Sequence, residues 1–181
     1  MDGYMQEIDE VTIRLAAKRD ANAFRRIYDH YAEFVWKVIF RTVNGDKEAG
    51  GEIVQETFIR VYSSLRSFAF KSALSTWIYR IAFNSANTYM AKNKRMSGTV
   101  DVETLVDGRA AHTYENQEMV RILLSTLTAE ERFLLTSREV EGVPFEELAL
   151  ITGRRSESLR TQVSRMKENL RDMFEKRFSA R

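Results

Sequence analysis

Two stretches of this sequence carry side chains whose types and spacing suit an anionic polymer. Between Thr57 and Val100 there are seven basic residues (Arg60, Arg66, Lys71, Arg80, Lys92, Lys94, Arg95) and no acidic one, and the same stretch holds eight of the chain's twenty aromatics. Aromatic faces that stack unpaired bases, beside arginines that hold the backbone, form a grip on single strands. At helical spacing, Trp77, Arg80, Asn84 and Asn87 project from a different side than the apolar stripe. From Arg154 to Arg181, nine basic residues stand against four acidic ones. Here, turning Leu159, Val163, Met166 and Leu170 inward leaves Glu157, Thr161, Ser164 and Arg165 opposite, with Arg160 on the flank. Such a helix offers donors and acceptors to base edges in a major groove, and Arg154 and Arg155 just before it are placed for phosphate. Ordinary solvated helix faces would explain isolated lysines, but they explain an acid-free run of this length poorly.

Catalytic chemistry finds little support. There are no cysteines, which removes disulfides, thiolate metal sites and cysteine nucleophiles. The two histidines, His30 and His112, are isolated, so no metal site is expected. No phosphate-binding Gly-x-x-x-x-Gly-Lys loop and no nucleophile elbow is present. The expectation is a protein that is not an enzyme, with no cofactor and no small-molecule substrate. No apolar run has the length of a bilayer span, and Met1–Glu10 lacks the basic-then-apolar order of a signal peptide. A soluble, cytoplasmic location is the expectation.

The elements that must position these faces read as helices. Phe24, Ile27, Tyr28, Tyr31, Val35, Val38 and Ile39 form one stripe, capped by Asp20. Val54, Phe58, Val61 and Leu65 form a second, and Ile78, Ile81, Ala82, Ser85 and Tyr89 a third. Gly50-Gly51 predicts that the second helix starts late or bends. Residues Met96 to Asn116 lose the periodicity and read as a flexible linker. Val120, Leu123, Leu124 and Leu127 then begin a new stripe, Thr128-Ala-Glu-Glu131 has the spacing of a capping box, and Phe145–Ile151 forms a short helix broken at Thr152-Gly153. The pattern is an all-α chain of two small helical domains, 1–95 and 117–181, joined by the linker 96–116. The second contains a helix-turn-helix.

Three motifs carry a resemblance: Glu52-Ile-Val-Gln-Glu-Thr-Phe58, Ser75-Thr-Trp-Ile-Tyr-Arg-Ile-Ala82 with Asn84, and Glu141-Gly-Val-Pro-Phe-Glu-Glu-Leu-Ala149. In order and spacing, from Asp20 to Phe174, the chain resembles an extracytoplasmic-function (ECF) sigma factor of bacterial RNA polymerase. The resemblance implies promoter-specific transcription initiation in response to stress or envelope signals. It implies a first domain that docks on core polymerase through Glu52, Gln55 and Glu56, against the coiled coil of the largest subunit. Four acids and one lysine between Asp46 and Glu56 suit a basic partner. Phe68, Lys71, Ser72, Thr76, Trp77, Arg80 and Asn84 would take the single-stranded bases of the melted −10 element. Arg154, Arg155, Arg160, Thr161, Ser164 and Arg165 would meet the double-stranded −35 element, with the second domain on the polymerase flap. An anti-sigma partner, often membrane-bound, is also implied, which would hold the cytoplasmic protein at the membrane. The chain departs from the family at Gly50-Gly51, at Phe68-Ala-Phe-Lys-Ser72 where Phe-Arg-Gly-x-Ser is usual, and at Gly153-Arg-Arg155 where Gly-Ile-Pro is usual. Two readings compete: a conventional dimeric helix-turn-helix regulator, which leaves the basic aromatic stretch without a purpose, and an interaction module that keeps the fold without promoter activity, for which the altered 68–72 loop is the only hint.

Overall fold

Aspartates open the first helices. In a computed structural model that describes residues 7–97 and 113–178, Asp9 accepts the Thr12 amide at 2.8 Å, Asp20 that of Ala23 at 2.8 Å and Asp46 that of Ala49 at 3.0 Å. Each satisfies a donor that the first helical turn leaves unpaired. They begin α1 (Glu10–Ala17), α2 (Ala21–Thr42) and α3 (Lys47–Ser64). A 3-10 turn, Leu65–Ser67, follows, then α4 (Leu74–Ser97), α5 (Thr113–Ser125), α6 (Ala129–Glu139), α7 (Phe145–Thr152) and α8 (Ser156–Phe178). Every regular element among the described residues is helical, as the periodicity requires. The Thr128–Glu131 capping box opens α6, with both of its hydrogen bonds formed. Helix α1 has no counterpart in the sequence reading. Only Thr12, Ile13 and Ala16 of its eight residues are buried, too short a stripe for periodicity to register.

Helices α1 to α4 enclose one core. Ile27, Tyr31, Val35 and Ile39 of α2 meet Ile53, Phe58 and Val61 of α3 and Ile78 and Ala82 of α4. Tyr28, expected inward, is 44% exposed and lays its ring edgewise on Phe58 at 4.8 Å. The glycine pair neither delays nor ends α3, which begins ahead of it at Lys47. Gly50 is where α3 crosses α2: a Cβ there would stand 3.3 Å from the Trp36 ring. Gly51 faces open space.

A second core lies between this bundle and α6–α8. Val38 of α2 and Tyr79 and Phe83 of α4 join Phe133 and Leu134 of α6, Leu148 and Ile151 of α7, and Leu159, Val163 and Met166 of α8. The Phe34 and Tyr79 rings meet at 4.9 Å, and Phe83 and Phe133 at 4.9 Å. The two expected domains thus share an interior, and α2 and α4 are apolar on two faces. Polar contacts follow the seam. Arg132, buried on α6, donates to the carbonyls of Thr42 (2.6 Å), Leu127 (2.5 Å) and Leu124 (3.2 Å), the first at the last residue of α2 and the other two at the end of α5 and the turn after it. Burial pulls its pKa below the ordinary arginine value. Arg41 of α2 pairs with Glu141 at 2.6 Å. Helix occupies both ends of the segment expected as linker, and the remainder, 98–112, lies outside the described residues.

Replacing Gly51 by alanine should stabilise the protein by about 1 kcal/mol, the ordinary gain within a helix. Gly50→Ala should gain less or lose, because the Trp36 ring must yield. Urea denaturation of the two variants tests the contrast.

Candidate nucleic-acid interface

The acidic face of α3 is open to solvent. Glu52 and Gln55 are exposed, and Glu56, partly covered, pairs with Arg60 at 2.6 Å. Ile59 and Tyr62 extend the same face as large exposed apolar side chains.

The loop between the 3-10 turn and α4 is built on aromatic contacts. Phe68 is buried, not offered to solvent, and its ring tilts against Phe70 at 4.8 Å and Trp77 at 5.3 Å. Phe70 has φ of +55°, the left-handed region, which costs a residue with a Cβ about 1–2 kcal/mol relative to right-handed backbone. It stays 40% exposed, with the Arg14 guanidinium over its ring at 4.7 Å. Lys71 is exposed and Ser72 half-buried. On α4, Trp77 is half-buried while Arg80 and Asn84 are exposed. Thr76 departs from the expected open face. It is 4% exposed, and its hydroxyl donates to Glu147 of α7 at 3.0 Å. Glu147, Arg14 and Arg132 carry no local sequence signal of a role here. All three act across gaps in the chain that local periodicity does not see.

Helices α7 and α8 form the helix-turn-helix. Gly153 takes φ of +72° between them, a conformation that glycine adopts without a Cβ penalty. Leu159, Val163 and Met166 are buried as expected, and Leu170 is half-buried. Arg160, Thr161, Ser164 and Arg165 are exposed together. Arg155 is exposed in the turn, and Arg154 pairs with Glu130 at 2.9 Å. Arg160 reaches Glu146 at 2.5 Å and lies over the Phe145 ring at 4.7 Å. The Thr161 hydroxyl donates to the Glu157 carbonyl at 3.0 Å. Arg154, Thr161, Gln162 and Arg165 line an open cleft beside α8. The Glu146 carboxyl is held below its ordinary pKa of 4.5, first by its own backbone amide and then, against some desolvation, by Arg160 and Arg138. Among the described residues no three His, Cys, Asp or Glu side chains converge as metal ligands. His30 packs edgewise on Tyr31 at 4.7 Å; His112 lies outside the described residues.

A family model described as Sigma-70 region 2 matches residues 27–96. The chain is 30% identical over 179 residues to the ECF RNA polymerase sigma-E factor of Escherichia coli K12, covering 90% of this chain and 92% of that one. The chain belongs to the ECF RNA polymerase sigma factors. It is accordingly a subunit that directs RNA polymerase in transcription initiation, and its relatives are not enzymes. The sigma-E factor of Haemophilus influenzae is 29% identical over 185 residues, covering 94% of this chain and 97% of that one. Two solved structures share the fold. CnrH, in complex with the cytosolic domain of CnrY, matches 93% of this chain and 98% of its own at 17% identity and a TM-score of 0.71. The sigma factor RpoE of Bartonella quintana, in complex with the anti-sigma factor NepR, matches 84% and 96% at 22% identity and a TM-score of 0.69. In this sigma factor no helix among the described residues is long and apolar enough to cross a membrane.

The Glu146 carboxyl should titrate below the protein's unconstrained glutamates when followed by NMR. Arg160→Ala should raise its pKa only part of the way, since the backbone amide remains. Because the folded pKa is the depressed one, any stability from this group is present above pH 4.5 and is lost as pH falls through the depressed value.

Proposed function

We propose that the sigma factor meets its three macromolecular surfaces through separate faces of this fold. Glu52, Gln55 and Glu56 on α3 dock on the coiled coil of the polymerase's largest subunit. The loop Phe68–Ser72, through its exposed residues over the buried Phe68 ring, and the α4 residues Thr76, Trp77, Arg80 and Asn84 take single-stranded −10 bases. Arg154, Arg155, Arg160, Thr161, Ser164 and Arg165 take the −35 duplex, with the second domain on the flap. The observation that carries this reading is simultaneous exposure. Arg80 and Asn84 on one helix and Thr161, Ser164 and Arg165 on another are open at once, although both helices are packed on a shared core.

That shared core also demands a change of arrangement. The two promoter elements are about 25 base pairs apart, roughly 85 Å at 3.4 Å per step. A folded chain of this length has a radius of gyration of about 16 Å. The contact between Thr76 and Glu147 places one reading face against the domain that carries the other. Reading both elements requires α6–α8 to leave α2 and α4, which bares Thr76. The chain acts in the cytoplasm, with no catalysis and no cofactor of its own. It takes an anti-sigma partner, a reading supported by the similar fold of RpoE, solved in complex with the anti-sigma factor NepR.

Run-off transcription with bacterial core polymerase on random upstream sequences tests the whole reading. Specific transcripts should appear, and the pair Glu52→Lys and Glu56→Lys should weaken co-elution with core. Unchanged co-elution removes the docking assignment. Arg160→Ala and Arg165→Ala should each weaken −35 duplex binding by about 1–3 kcal/mol where a base contact is lost. Equal loss on every sequence would make them phosphate contacts instead.

A further inference from the structure

The loop proposed to read the −10 element is held by a segment that the family match, residues 27–96, does not include. Glu7 lies ahead of α1, yet its carboxylate caps α4. It accepts the Leu74 amide at 3.0 Å and the Ser75 amide at 3.4 Å. The Tyr31 hydroxyl, on a side chain with no solvent exposure, donates to the same carboxylate at 3.0 Å. A negative group at the start of a helix satisfies free amides and complements the helix dipole. This one fixes the turn from which Thr76, Trp77 and Arg80 project.

Arg14 of α1 holds the other end of the loop. Its guanidinium covers the Phe70 ring at 4.7 Å and is itself fixed by Glu10, one turn earlier, at 2.5 Å. Phe70 is the loop residue in the left-handed region, a conformation that persists only where surrounding contacts impose it. Those contacts are the Phe68 ring on one hand and Arg14 on the other. Helix α1 is in turn tied to the base of the loop. Arg66 donates to the Ala17 carbonyl at 3.1 Å, and Arg19, just after α1, donates to the Tyr62 carbonyl at 2.6 Å.

We infer that Glu7 and Arg14 are positioning residues for promoter reading: they brace the 68–73 loop and the first turn of α4 from both ends, so that −10 base selectivity depends on a segment that touches no base. The inference rests on the −10 assignment of that loop. Arg14 acts through Phe70 and Glu7 through the α4 amides, so the two effects have separate signatures.

The test uses the full chain with core polymerase and a promoter library randomised at the −10 element, scored beside a second library randomised at −35. Glu7→Ala should lower the −10 preference about five- to tenfold, the scale of a lost helix cap, and leave the −35 preference unchanged. Glu7→Gln keeps an acceptor oxygen and should fall between. Arg14→Ala should also lower the −10 preference, and this effect should vanish in a Phe70→Gly background, where glycine needs no brace. In hydrogen exchange on the free chain, the Leu74 and Ser75 amides should exchange five- to tenfold faster in Glu7→Ala than in the parent. Parent-like exchange and parent-like −10 preference in Glu7→Ala would overturn the inference. So would an equal fall at −10 and −35 with a lowered Tm, which would mean general loss of structure. Lys71→Ala and Arg80→Ala serve as controls. If they too leave the −10 preference intact, the base-reading assignment has failed, and the exchange rates alone decide whether the brace exists.

Discussion

Tyr79 has no solvent exposure, and its ring stands edge-on to Phe34 of its own bundle and Phe133 of the other half. The arrangement of the whole chain depends on this aromatic contact and the apolar layer around it. Removing buried aromatic surface from water is the largest favourable contribution available to a chain of this size. Here it is used between halves as well as within them. Helix α4 is the pivot. One side, Ile78, Ala82 and Ala86, belongs to the first core, and another, Tyr79 and Phe83, to the second. The side left over carries Arg80 and Asn84.

A helix divided three ways lets one segment serve two cores and still leave a third face open, the face proposed to meet −10 bases. Substitutions toward solvent touch neither core and, under the proposed −10 role, would change recognition alone, whereas substitutions at Tyr79 or Phe83 alter the packing between the halves. The seam is not purely apolar. Arg132 spans three backbone carbonyls, and Arg41 and Glu141 pair at its edge with partial solvent access. Such groups lose less on exposure to water than a buried apolar surface does, so they give the interface direction while making its opening less costly. Thr76 commits its hydroxyl to Glu147 across the seam, so under the proposed −10 role closure and recognition exclude each other there.

Much of this was legible in the sequence, and what was not has identifiable causes. The α2 stripe, the Asp20 cap, the Thr128 capping box and the Gly153 turn are local features, set by residues within a turn or two of one another. They were readable for that reason. Gly50 was misread because its meaning lies in Trp36, on another helix. The second face of α4 was hidden by its own regularity. Tyr79 and Phe83 sit among aromatics in a basic stretch, which looked like a surface for bases but is partly an interior. Phe68 followed the same course. The exposed positions, Arg80, Asn84, Thr161, Ser164 and Arg165, were placed correctly on open faces because an amphipathic helix divides its polar and apolar residues by period. Glu7, Arg14 and Glu147 make contacts across many residues, and no one-dimensional pattern announces them.

The pairing of arginines on the helix-turn-helix has a consequence for how this protein would respond to ionic strength. Arg154 and Arg160 already lie against Glu130 and Glu146. A cation so neutralised exchanges one anionic partner for another when it meets phosphate, and it contributes less than a free charge to the accompanying displacement of salt ions from DNA. The slope of affinity against salt concentration, normally proportional to the phosphates neutralised, would then undercount the contacts made. Arg155 and Arg165, exposed on the same face, would dominate that slope.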